Sequence, residues 1–179
     1  MDFRKALLVS ALATLAIGMS SATLAANSLR IPTQVSMHDV DAEQARLRAI
    51  DFEMAPIKSD ADLATYLRTA GEESPLMALS PGARERFLAT LTFNENGLVG
   101  YKYEELAREL TASQAYRILA LFGAQRTAHL LGARVESPAD TAVVRMPIVQ
   151  GLRADYKEYK CVSPHNCYGQ RFYICLTGC

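Results

Sequence analysis

For its first 160 residues the chain has no cysteine; all four stand between Cys161 and Cys179. It also lacks any excess of one charge, with 19 basic and 19 acidic side chains. No block of five like charges occurs, which leaves no acidic or basic arm. Without a basic footprint, nucleic acid and anionic membrane surfaces are excluded as expected partners. The most apolar stretch, Ala6 to Ile17, is about twelve residues, short of the roughly 20 that a spanning helix needs. There is no internal repeat and no low-complexity run. G-x-S-x-G, H-E-x-x-H, P-loop and G-x-G-x-x-G patterns are all missing. Catalysis therefore has no sequence motif to rest on.

What is present begins with "MDFRKALLVSALATLAIGMSSATLAA". A charged segment (Arg4, Lys5), an apolar run and a small-residue region follow one another in the order of a secretory signal peptide. Thr23-Leu24-Ala25 places cleavage after Ala25, with Ala26 as second choice; an uncleaved anchor is the alternative. Losing Asp2, Arg4 and Lys5 leaves 17 basic and 18 acidic groups on about 154 residues, enough for one domain with a real core. The expected location is the periplasm or the extracellular space, with no stable membrane insertion after cleavage. Abundant Ala and Arg agree by association with a bacterial source.

Residues 26–40 contain Pro32 and no periodicity, and read as a flexible arm. Helix grammar then dominates residues 41–132. Asp41 is the expected N-cap of a helix to Met54, with Ala45, Ala49 and Phe52 as its stripe. Ser59 caps a second helix, in which Leu63, Tyr66, Leu67 and Ala70 share a face that ends at Gly71. Ser80 with Pro81 opens a third, carrying Phe87, Leu88 and Leu91 inward. Tyr103, Leu106 and Leu110 form one side of a fourth. Thr111 caps a fifth, with Ala115, Ile118, Leu119 and Phe122 aligned, and "AQRTAHLL" is a short sixth that makes His129 a partly buried packing residue. The expected fold is mainly α: a small helical bundle with a C-terminal, disulfide-tied, β-hairpin-like element.

Residues 133–151 read as a connector, turn-forming at Ser137-Pro138 and then β-branched. In 152–179, "ADYKEYKCV" and "QRFYICL" alternate with period two, as two strands joined through "SPHNCYG". An isolated hairpin is marginal in water, which gives the clustered cysteines a stabilising role in an oxidising compartment. Antiparallel geometry favours Cys161–Cys175 with Cys167–Cys179; the sequential pairing is second. Metal binding through Cys161, His165 and Cys167, with Cys175 as fourth ligand, competes with this. The spacing is not that of zinc ribbons, and thiolates oxidise in such a compartment. No C-x-x-C marks a redox-active pair. No metal or other cofactor is expected.

"TFNENGLVGYKYEEL" echoes an EF-hand calcium loop at Asn94, Asn96, Gly97 and Val99. It puts Thr92 and Tyr103 where the strongest anionic ligands belong, with Glu104 one place late. It reads instead as an Asn-Gly turn between helices, with Gly97 and Gly100 supplying positive φ. The paired acids Glu72-Glu73 and Glu104-Glu105 diverge on a helix and read as solvated faces. A Cys167/His165 nucleophile lacks an orienting partner.

The expected function is non-catalytic binding of another macromolecule, with Tyr168, Arg171 and Tyr173 as its contact residues. Five aromatic rings between Tyr156 and Tyr173 either pack onto the bundle or leave one face open with Lys160 and Arg171 around it. Two alternatives stand beside this. Segment 152–179 is a bioactive cysteine-rich peptide released from a precursor, or the protein is a metal-binding protein or enzyme using Cys161, His165 and Cys167.

Overall fold

The computed structural model describes residues 37–146 and 155–179. The expected signal peptide, the expected arm as far as residue 36 and the expected connector from 147, with the first residues of the expected tail element, lie outside the described residues. The elements run α1 (Met37–Met54), α2 (Asp60–Thr69), α3 (Pro81–Leu88), β1 (Thr92–Asn94), β2 (Gly97–Lys102), α4 (Glu104–Glu109), α5 (Ala112–Ala120), α6 (Pro138–Val144), β3 (Tyr156–Ser163) and β4 (Asn166–Cys175). Short 3₁₀ segments fill Pro75–Ala78 and Gln125–Leu130.

A mainly α bundle is not what forms. Four strands make one antiparallel sheet in the order β1-β2-β4-β3, so the hairpin inside the expected bundle and the tail share a sheet. The stretch read as an inter-helix turn is the β1–β2 hairpin. Asn-Gly between two apolar runs is a hairpin signal. Gly97 takes φ 91 there, while Gly100 is not in the left-handed region. Gly100 instead lets β4 approach: a Cβ on it would stand 3.3 Å from the Ile174 carbonyl oxygen. β2 then pairs with β4 through Gly100–Cys175, Tyr101–Ile174 and Lys102–Tyr173.

The helix starts follow their local chemistry. Ser59, Ser80 and Thr111 each accept the expected backbone N–H, and Gln114 completes a capping box with Thr111. α1 begins at Met37, ahead of Asp41, because neither Gly nor Pro interrupts residues 37–54. "SPADTAVV", read as turn and β-branched connector, is helix α6. Ser137 caps it and Pro138 occupies its first turn, the same grammar as at Ser80-Pro81. The final short helix is 3₁₀.

The core gathers Phe87, Tyr101, Leu106, Leu110, Ile118, Leu119 and Ile174, all at 0% exposure, from helices and sheet alike. Phe87 meets Tyr101 and Phe122 edge-on, each with ring centroids 6.2 Å apart. The buried Tyr101 hydroxyl lies 2.5 Å from Thr127 Oγ1, which itself donates to the Ala124 carbonyl at 2.7 Å, so no polar atom of the pair is stranded. Burial holds the Tyr101 phenol far above the ordinary tyrosine range. Two expected faces turn out otherwise. Leu67 is exposed, and Ala45 and Ala49 line an open cleft with Phe52 instead of joining the core. Among the described residues, no helix is long and apolar enough to cross a membrane.

Candidate interaction surface

The β3–β4 hairpin is built around an irregularity. Tyr156 and Lys157 face Cys175 and Ile174, but Tyr159, Lys160 and Cys161 face Gly169, Tyr168 and Cys167. Residues 170–173 of β4 therefore bulge opposite Glu158. Glu158 and Phe172 both take left-handed backbone, at φ 68 and 66, which costs non-glycine residues about 1–3 kcal/mol each. One carboxylate holds them. Glu158 Oε2 accepts the Phe172 N–H at 2.7 Å, and its Oε1 accepts the Tyr103 hydroxyl. The Tyr103 hydrogen bond leads the effects that lower the Glu158 pKa. Tyr103 also donates its own N–H to the Phe172 carbonyl at 2.8 Å, which pins the bulge to the sheet.

The bulge corrects the expected cysteine pairing. In register Cys175 faces Tyr156, and the residue facing Cys161 is Cys167, so Cys161 and Cys175 are not a cross-strand pair although their sulfurs lie within 4.8 Å. The chain after β4 returns to the tip, where the His165 N–H donates to the Cys179 carbonyl. The bonds are Cys161–Cys179 and Cys167–Cys175, the one combination that neither expected pairing contained. Both cross-links stiffen the hairpin and tie the last residues to its turn.

Of the expected contact residues, Tyr168 is 70% exposed on the hairpin surface. Lys160 is its cross-strand partner, and the Lys160 ammonium also lies 5.2 Å from the ring centre of the half-buried Tyr173. These three form one patch with the exposed Val162 nearby. Arg171 belongs elsewhere. Its guanidinium stacks at 4.7 Å on Phe172, whose ring meets Tyr103 edge-on at 5.9 Å. Tyr156 and Tyr159, not among the expected contact residues, also stay open and meet edge-on at 5.9 Å. Three residues apart, they would lie on opposite faces of a regular strand; the irregularity at Glu158 stands between them, and no spacing in the sequence showed it.

Cys161, His165 and Cys167 are not assembled as a ligand set. Both sulfurs are in disulfides, and His165 turns toward a cleft of about 490 Å³. Phe52, Leu98, Phe122 and Leu176 form its apolar lining, with Arg48, Arg126, Asp155 and His165 among its polar residues. Arg126 ion-pairs with the buried Asp51, and Asp155 accepts both the backbone N–H and the hydroxyl of Thr177 at 2.9 Å. Sequence reasoning missed this cleft because its walls come from α1, the β1–β2 turn, the segment after α5 and the chain end. The calcium-loop reading fails on geometry. The Asn94 and Asn96 amides donate to the Gly178 carbonyl, Tyr103 serves Glu158, and Glu104 pairs with Lys102 and Arg108. His129 donates from Nδ1 to the Arg126 carbonyl at 2.7 Å and leaves Nε2 buried without a protein partner.

The chain matches no protein-family model, no curated protein sequence and no solved structure.

Proposed function

We propose that this is an exported binding protein without a catalytic role, and that it holds a macromolecular partner against the outer surface of the β3–β4 hairpin. The observation that carries the reading is Tyr168. A large ring stands 70% exposed, beside Lys160, on a strand segment that two disulfides hold in place. Tyr and Arg dominate binding hot spots, and a rigid display loses less entropy on association than a mobile one. Export rests on the charged, apolar and small-residue order of the first 25 residues and agrees with cysteines that are all paired among the described residues.

The precursor reading finds less support. β4 lies between β2 and β3, so release of 152–179 would strip an interior strand from the sheet. Capture from periplasmic extract and culture medium tests the proposal. Tyr168→Ala should weaken retention of the partner by about 1 kcal/mol or more with the melting temperature unchanged. Capture that is unaffected by Tyr168→Ala, Arg171→Ala and Tyr173→Ala would place the partner surface elsewhere.

A further inference from the structure

Cys175 is bonded to Cys167, yet its sulfur lies within 4.8 Å of the sulfurs of Cys161 and Cys179, which are bonded to each other. Three of the four are buried, Cys161 at 7%, Cys175 at 0% and Cys179 at 4% exposure, whereas Cys167 is half-buried. An external thiolate therefore meets Cys167 first. The sulfur it displaces is Cys175, the one already beside the second disulfide. We propose that Cys167 is a modification site for small external thiols, and that its modification starts a relay in which Cys175 attacks the buried Cys161–Cys179 bond.

Each step is a thiolate–disulfide exchange. First, the external sulfur bonds Cys167 Sγ, the Cys167–Cys175 bond breaks, and its electron pair leaves on Cys175. Next, the Cys175 thiolate bonds Cys161 Sγ and Cys179 leaves as thiolate. Cys179 Sγ sits 3.6 Å from the carbonyl oxygen of Asn166, the residue before Cys167. It closes on Cys167 and expels the external thiolate. No electrons are gained or lost overall, and the thiol is regenerated. The product pairing is Cys161–Cys175 with Cys167–Cys179. Attack on Cys179 instead frees Cys161, the cross-strand register partner of Cys167, and leads to the third pairing. One cluster of sulfurs thus connects all three pairings of the tail.

The experiment treats the oxidised chain with a limited amount of glutathione, quenches with acid, alkylates with N-ethylmaleimide and maps every cysteine by mass spectrometry. In singly glutathionylated molecules, glutathione should sit on Cys167. Alkylated thiol should appear on Cys161 or Cys179 in at least about a tenth of them, alongside a new Cys161–Cys175 or Cys175–Cys179 link. Glutathione found first on another cysteine, or alkylated thiol confined to Cys175, overturns the relay. A second arm removes the relay with Cys167→Ser and Cys175→Ser together, with folding followed by circular dichroism. In the folded variant, glutathione should reduce the Cys161–Cys179 bond at least about 10-fold more slowly than in the parent protein. An equal or faster rate in a folded variant overturns the proposal. If the variant does not fold, the mapping on the parent chain decides.

Discussion

Asp140 of α6 caps a helix that is not its own: its Oδ1 accepts the backbone N–H of Ser113, in the first turn of α5, at 2.8 Å. Its other oxygen accepts the Ser137 hydroxyl at 2.7 Å and the Glu136 N–H at 3.1 Å. The residue is 1% exposed. The carboxylate thus satisfies donors at two helix starts and fastens α6 to α5.

That arrangement gives a pH dependence with a definite sign. The Ser137 hydroxyl, followed by the Ser113 N–H, holds the Asp140 carboxyl far below the ordinary carboxylate range. The folded protein therefore binds this proton more weakly than the unfolded chain, where aspartate titrates near about 3.9. Its contribution to stability is whole above about pH 4 and is lost as the pH falls further toward the folded value. Asp140→Asn should lower the melting temperature at neutral pH, and the gap to the parent should narrow as the pH falls below about 4. Thermal unfolding at several pH values checks this; a gap independent of pH contradicts it.

Phe87 and Leu119 are both fully buried, on helices whose caps are local. Phe87→Ala should cost about 3–5 kcal/mol and Leu119→Ala about 2–5 kcal/mol. Either is a large part of a domain stability of about 5–15 kcal/mol. Urea unfolding midpoints unmoved in both variants would contradict the packing described above.

Gly123 and Gly132 share φ 72 but not their surroundings. A Cβ on Gly123 would stand 3.1 Å from the Asp51 carbonyl oxygen and 3.2 Å from the Phe52 Cα, while Gly132 has nothing within 4 Å. Gly132→Ala should cost only the left-handed penalty, about 1–2 kcal/mol. Gly123→Ala should cost more, because α1 must move away from the residue. Equal losses in chemical denaturation would show that α1 does not pack there.

All four cysteines are paired. Alkylation of freshly purified protein under denaturing conditions without reductant should label none of them. If export follows the expected route, intact mass of material recovered outside the cytoplasm should correspond to cleavage after Ala25. Two labelled cysteines, or a mass that retains residues 1–25, would each contradict its half of this prediction.

Three helix starts were legible in the sequence. Ser59, Ser80-Pro81 and Thr111 with Gln114 cap because a side-chain oxygen and a backbone N–H only two or three residues away decide the matter between them. The same locality made the Ala115, Ile118, Leu119 and Phe122 stripe readable, and the two strands of the tail, though burial along them does not alternate. Ser137-Pro138 carried an equally local signal that the β-branched residues after it obscured. Tertiary structure alone decided the rest. β1 is three residues long, too short for any period, and β2 gains its neighbour β4 through Gly100 and Cys175, far apart in the chain. Whether Ala45, Ala49 and Leu67 face core or solvent depends on what lies across from them, which no spacing encodes. The cysteine pairing is the sharpest case. Composition gathers four sulfurs in the tail, but the bulge at Glu158 and the return of the chain end to His165 choose their partners, since a disulfide joins whichever sulfurs the fold brings together.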